Sequence, residues 1–296
     1  MALQLNQQMV KDAVSRAANA LPALPNVLVR VMQLTETTNS GTVGEIEQLI
    51  KSDQAISSRL LRIVNSAYFG LSGQVSSVSQ AVVILGFQQV RNLVLSVSMM
   101  TSFGASGSKS KASQIRLWES AFATASAAQM IARKKKIDAK DQELVFVGGL
   151  LQNIGSLFML SVLSRSYVVV LEESIQNNQI LFETENLRLG MNHAELGAEI
   201  LKKWGLPENL ILLVSRHEGP FAGEIIPTLA IINAAERVGD LVIGKKEFSF
   251  ETIGLSQEIL DYLDFDTSDF EWLMEETKLK VEAVFELVGA MDERED

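Results

Sequence analysis

Residues 144–164 run for 21 positions without a charged side chain, between Glu143 and Arg165. A stretch of that length and character either crosses a bilayer or lies in the middle of a large core. Gln152 and Asn153 stand side by side at its centre, with Gly148, Gly149 and Gly155 around them. Two adjacent primary amides in hydrocarbon need partners that a single span does not supply. The flanks carry no aromatic belt. The stretch therefore reads as a fully buried core helix, and 296 residues with 47% hydrophobic side chains supply such a core.

The rest of the chain reads as helix. Val90, Leu93, Val94 and Val97 recur at helical spacing, as do Phe270, Leu273, Met274, Val281, Val284, Phe285 and Val288. Asp53 stands where an N-cap belongs ahead of Ile56, Leu60, Leu61 and Val64. Thr42 with Glu45, and Ser268 with Glu271, have capping-box spacing. No alternating run argues for a sheet, so the expected class is all-α. Pro22 and Pro25 end a first helix, and residues 103–111, rich in Gly, Ser and Lys, read as a linker between two helical halves. Gly205, Leu206 and Pro207 break one helix and open another. The expected divisions are an N-terminal helical half over 1–112, a second helical bundle over 113–240, and a C-terminal helical extension with an acidic tail over 241–296.

Composition then excludes chemistry. With no Cys, disulfide frameworks, thiolate zinc sites and cysteine nucleophiles are ruled out. With two His, a metal site of three or more imidazoles is ruled out as well. The net charge of −10 repels phosphate backbones, so nucleic acid is not an expected partner. The one basic run, from Arg133 to Lys136, closes a helical pattern, where positive charge favours the C-terminal end. The first residues lack the basic and apolar regions of a signal peptide, and a cytoplasmic protein with no membrane partner is expected. Gly239, Gly244 and Lys245 nearly fit a phosphate-binding loop, but Lys246 stands where Ser or Thr would hold magnesium, and the interior is apolar.

The two histidines carry more information. His193 opens an amphipathic segment and His217 ends the following one, with a single helix break between them. A helical hairpin can bring them together, and Glu236 on the next helix is a third candidate ligand. A transition-metal site normally wants at least three protein ligands. Two buried histidines also make an ordinary structural pair.

Four segments carry a family resemblance. Leu21, Pro22, Ala23, Leu24 and Pro25 form the first, and the segment from Asp53 to Asn65, Ser66 and Ala67 the second. Ser79, Gln80, Ala81, Val82, Val83, Ile84, Leu85 and Gly86 form the third, and Gly149, Leu150, Leu151, Gln152, Asn153, Ile154 and Gly155 the fourth. Together, residues 16–240 resemble the HDOD (HD-related output domain) family, and the C-terminal half resembles the HD-superfamily metal-dependent phosphohydrolases. The resemblance implies an HD-type multi-helix bundle with an additional N-terminal helical subdomain.

It also places the departures. Gln152 and Asn153 fall where HD enzymes carry their His-Asp doublet, and Ser120, after Leu117, Trp118 and Glu119, falls at the first ligand position. Arg216 stands where some HD enzymes place another His, and Glu236 falls near the last Asp position. A neutral amide cannot replace a bridging carboxylate, and without those ligands a metal has no basis for activating water. Ser120, Gln152, Asn153, His193, Arg216, His217 and Glu236 are thus expected to line a vestigial pocket with no catalytic residue, no metal and no cofactor. The two amides are expected to bond to His193, His217 or backbone carbonyls. The resemblance implies a non-enzymatic module of bacterial signal transduction that binds a signalling protein, with a small ligand conceivable in the pocket. The alternative is a metal-dependent phosphohydrolase acting on a nucleotide or cyclic nucleotide through His193, His217 and Glu236. Tyr68 and Phe69, in the 65–73 loop, are candidate anchors for a partner if exposed, although aromatics in such a loop more often pack inward.

Overall fold

The computed structural model describes residues 7–19, 54–65, 73–87, 108–177, 179–219 and 225–292, with a few single positions between 44 and 94. Residues 21–25, Thr42, Glu45, Asp53, Tyr68, Phe69 and the 103–107 part of the expected linker lie outside the described residues. Every regular element among the described residues is a helix. In chain order these are α1 (Gln7–Asn19), α2 (Gln54–Val64), α3 (Val78–Leu85), α4 (Ser108–Lys134), α5 (Ala139–Leu151), α6 (Ile154–Leu163) and α7 (Arg165–Gln176). They continue with α8 (Leu181–Leu189), α9 (His193–Lys203), α10 (Glu208–Arg216), α11 (Pro227–Gly244), α12 (Phe250–Ile253), α13 (Gln257–Leu263) and α14 (Thr267–Asp292).

The chain divides into two compact units, one of Met1–Pro22 with Phe103–Thr277, the other of Ala23–Ser102 with Lys278–Asp296. In the second unit α2 packs on α3. Asn65 ties the end of α2 to the following segment with its whole amide. Its Nδ2 donates to Leu61 O at 2.7 Å and Val75 O at 2.8 Å, while its Oδ1 accepts from Val75 N at 2.7 Å. The resemblance motif ending in Gly86 has an equally local cause: Ser77 caps α3, and Gly86 ends it at φ +83°, a backbone angle that side chains disfavour.

In the first unit α4 is the central helix, packed along α5 and α11. Its middle is built of small residues, and Ala121, Ala123, Ala125, Ala127 and Ala128 are completely buried. The partners match them. A Cβ on Gly149 of α5 would lie 2.7 Å from the Cα of Ala125, and one on Gly239 of α11 would lie 3.1 Å from Thr124 Oγ1. Close backbone approach of this kind needs glycine on one side and alanine on the other. Gly239 and Gly244 therefore belong to a helix, and Lys245 caps it in a left-handed conformation at φ 52°.

Three expectations are corrected by the helix boundaries, and the basic run closes α4 as expected. The charge-free stretch is two helices, α5 and α6, because helical continuity lapses at Gln152 and Asn153 and stops at Ser164, φ 44°. Residues 108–111 are the first turn of α4 and not linker. Ser268 is not the cap of α14: the side chain of Asp266 accepts from Asp269 N at 3.0 Å and from Ser268 Oγ at 2.6 Å. Two lysines of the basic run are engaged internally, Lys134 with Asp269 at 2.5 Å and Lys135 with the carbonyl of Leu263 at 3.1 Å. Both also lie over rings, Lys134 over Phe265 and Lys135 over Tyr262.

Candidate functional site

The sequence places His193 at the first position of α9, and the local chemistry explains why that helix starts there. Asn192 is its N-cap, accepting from Glu195 N at 2.9 Å, and its amide donates to Asn186 Oδ1 of α8 at 3.1 Å. Gly155 of α6 lets that helix approach, since a Cβ there would fall 2.1 Å from the carbonyl oxygen of His193. The His193 backbone and ring then share one acceptor. His193 N donates to Glu185 Oε2 at 2.8 Å and Nδ1 lies 2.6 Å from the same oxygen. The other oxygen, Glu185 Oε1, accepts from the hydroxyl of Tyr167. Tyr167 and Glu185 are completely buried.

His217 follows the last turn of α10, also completely buried. Its Nδ1 lies 2.7 Å from Val214 O, a carbonyl that can only accept, so Nδ1 carries the hydrogen. Its own carbonyl accepts from Asn233 Nδ2 of α11 at 2.9 Å. The two Nε2 atoms of His193 and His217 face each other at 3.1 Å. Two carboxylates approach the same point. Glu218 Oε1 is 3.9 Å from His193 Nε2, and Glu236 Oε1 is 3.6 Å from His217 Nε2. Arg237 Nη2 holds the other oxygen of Glu218 at 3.3 Å. Glu236 Oε2, on a side chain 7% exposed, has no hydrogen-bond partner.

The electrostatics follow from this crowding. Burial opposes a charged His193 ring, but the charge and hydrogen bond of Glu185, helped by Glu218 and Asp240, outweigh it and raise its pKa. His217 goes the other way, lowered to about 4 by burial and by His193 beside it. Burial, then Glu218 and Asp240, push Glu236 well above the usual carboxylate range against the opposing charge of Arg237.

The amides sit elsewhere in the hydrogen-bond scheme. Gln152 Nε2 donates to Thr124 Oγ1 of α4 at 2.9 Å, and Asn153 Nδ2 donates to Ser120 Oγ of α4 at 3.4 Å. The expected bonds from Gln152 and Asn153 to the histidines or to backbone carbonyls are replaced by these hydroxyls, because α4 passes alongside the break between α5 and α6. Arg216 is exposed, outside the buried group, so it does not line the pocket. His193, His217 and Glu236 are brought together, and Glu185, Glu218 and Tyr167 join them without having been anticipated. Glu218 had a readable signal, being the neighbour of His217 at the end of its helix. His193, His217 and Glu218 each offer a ligand atom within 4.8 Å of the others.

The all-helical bundle thus holds paired buried imidazoles and carboxylates where α9, α10 and α11 meet. The HDOD domain family matches residues 21–220, and the chain belongs to that family. Solved folds agree. An HDOD domain protein of unknown function from Geobacter sulfurreducens superposes with TM-score 0.73 at 17% identity, covering 94% of this chain and 98% of its own. A candidate signal transduction protein from Marinobacter aquaeolei VT8 superposes with TM-score 0.70 at 19% identity, covering 99% of this chain and 68% of its own. An uncharacterized protein of Treponema pallidum is 28% identical over 248 residues, 80% of this chain. The chain spans about half the length of that relative, 47%.

Proposed function

We propose that this HDOD protein is a regulatory module of signal transduction that binds a partner protein and does not hydrolyse phosphodiesters. One observation carries the reading: the positions that correspond to the principal metal ligands of HD enzymes hold Ser120, Gln152 and Asn153, neutral groups joined in Asn153–Ser120 and Gln152–Thr124 hydrogen bonds. Water activation requires a cation held against those positions with an open coordination site, and amides bonded to hydroxyls provide neither charge nor a free carboxylate there. The Marinobacter protein, described as a candidate for signal transduction, favours the same reading by likeness of fold. The buried group of His193, His217 and Glu236 is the part of the module that a small ligand could set.

A second reading has its own support. Paired imidazoles beside Glu218 and Glu236 are the donors a hydrolytic metal would use, so a metal-dependent phosphohydrolase acting on a nucleotide or cyclic nucleotide is the competitor. A phosphodiesterase assay with cyclic and linear dinucleotides, in added manganese or zinc, decides between them. The regulatory reading expects product formation equal to the protein-free rate. Turnover that disappears in His193→Ala overturns it.

A further inference from the structure

We propose that the α7–α8 hairpin is a movable element of the first unit, hinged at Ser164 and latched to the start of α9 by the carboxylate of Glu185. The inference goes beyond the regulatory reading, which names no moving part.

The hinge is a single residue. Ser164 alone joins α6 to α7: its N–H donates to Leu160 O at 2.9 Å, and its carbonyl accepts from Tyr167 N and Val168 N, each at 3.1 Å. Its backbone stands at φ 44° and ψ −113°. Lys245 and Asp264 also have positive φ at helix ends, but ψ values of 41° and 46° place them in the ordinary left-handed well. Ser164 lies far outside that well, in a region that glycine fills and residues with a side chain avoid. Its side chain makes no capping bond to α7, and its hydroxyl lies 3.4 Å from Ser110 Oγ of α4 instead. A strained residue of this kind persists only while its surroundings hold it.

What holds it is polar and concentrated. The buried residues of α7 are Tyr167, Val168, Val170, Leu171 and Ser174, but those of α8 are Thr184, Glu185 and Leu189, with Leu189 the one apolar side chain. On the hairpin's outer side, Val169, Ile175, Ile180 and Leu187 are exposed. Hydrophobic burial therefore anchors α8 weakly. Glu185 supplies the rest. One of its oxygens accepts from the Tyr167 hydroxyl, and the other accepts from His193 N at 2.8 Å and lies 2.6 Å from His193 Nδ1. A single buried carboxylate thus joins α7, α8 and α9. The Asn192 amide donating to Asn186 Oδ1 at 3.1 Å, and Gln7 Nε2 donating to Leu187 O at 2.9 Å on the exposed side, add to it. The hairpin has its own cohesion, because Arg188 pairs with Glu173, and Ser174 Oγ donates to Gln179 O at 2.8 Å across its turn. It can therefore move as one body about Ser164 when the latch opens. His193 Nε2 faces His217 Nε2 at 3.1 Å, so a displaced His193 ring loosens the same carboxylate that holds the hairpin.

The test is hydrogen–deuterium exchange of the full-length protein, read peptide by peptide. In the wild type, residues 165–189 should exchange faster than α4, α5 and α11. Glu185→Gln and Tyr167→Phe should each raise exchange over 165–189 at least tenfold, with α4, α5 and α11 as protected as before. Because a latch variant can misfold, Ser164→Gly supplies a second reading from the other end of the hairpin. It removes the strain of the latched state and should slow exchange over 165–189 severalfold. Equal protection of the hairpin and the central helices in the wild type overturns the proposal. So does a Glu185→Gln protein in which all helices of the unit loosen together, or a Ser164→Gly protein whose hairpin exchanges as fast as the wild type or faster. Exchange is read without partner or substrate, so failure of the latch leaves the regulatory reading standing. Phosphodiester turnover overturns that reading and leaves the latch standing.

Discussion

Asp266 and its neighbours show how much a single side chain settles. Its Oδ1 accepts from Asp269 N at 3.0 Å and from Ser268 Oγ at 2.6 Å at the start of α14. These hydrogen bonds, the Ser268 hydroxyl first, hold its pKa below the usual carboxylate range. A depressed carboxyl adds stability at pH values above its unfolded value, and that contribution is lost as pH falls through the lower folded value. Asp266→Ala should therefore lower the melting temperature by a few degrees near neutral pH, and the gap from wild type should narrow below about pH 4. A gap independent of pH would remove the charge from this account. The same pair of residues marks a limit of sequence reading. Ser268 with Glu271 and Asp266 with Asp269 both satisfy the spacing of a cap, and pattern alone does not choose between overlapping frames. At the pocket, His193, His217 and Glu236 were legible because helical spacing brings one face of each helix inward. Glu185 and Tyr167 were not, since their meeting with His193 depends on how α7, α8 and α9 turn on one another, with Asn192 as the pivot. Arg216, adjacent to His217, points to solvent because one step along a helix turns a side chain by about a quarter of a circle.

At the scale of elements, the glycines of the central motif act through backbone approach. Gly148, Gly149 and Gly155 flank or lie near the break between α5 and α6, yet Gly149 and Gly155 meet backbone and Gly148 meets a side chain. A Cβ on Gly155 would fall 2.1 Å from His193 O and 2.8 Å from His193 C, both backbone atoms that cannot swing aside. A Cβ on Gly148 would meet Leu213 Cδ2 at 2.1 Å, the tip of a side chain that can rotate. Gly155→Ala is thus expected to cost about 3 kcal/mol or more in urea unfolding, and Gly148→Ala about 1 kcal/mol, both within the cost of overpacking a core. Equal losses would mean that α6 and α9 are free to separate. The motif that suggested the family thus serves helix packing. Sequence periodicity identified the helices well, but it merged α5 with α6, because apolar residues on every face leave no phase by which a break can be seen.

For the whole molecule, the charge-free stretch poses the question of where it resides. Residues Ala139–Leu163 are long and apolar enough to cross a membrane, yet 89% of the most apolar window is buried inside the protein. Its main contacts are with α1, α4, α7, α9, α10 and α11, all in the first unit. Moving it into lipid would strip Gly149 from Ala125 and Gly155 from His193. It would also take the Gln152 and Asn153 amides away from Thr124 and Ser120. Each amide left without a partner in hydrocarbon costs several kcal/mol. Against that stands no gain, since the apolar side chains are already out of water. The net charge of −10 adds repulsion from anionic membrane surfaces. The protein should accordingly stay in the supernatant after high-speed centrifugation without detergent, and it should not co-sediment with anionic vesicles at low salt. Heating through the unfolding transition should then expose the stretch, with a rise in the fluorescence of a hydrophobic dye that coincides with loss of helical circular dichroism. Recovery only in detergent, with the dye bound before unfolding, would place the stretch on the outside of the molecule and undo the packing of α5 and α6 against α4.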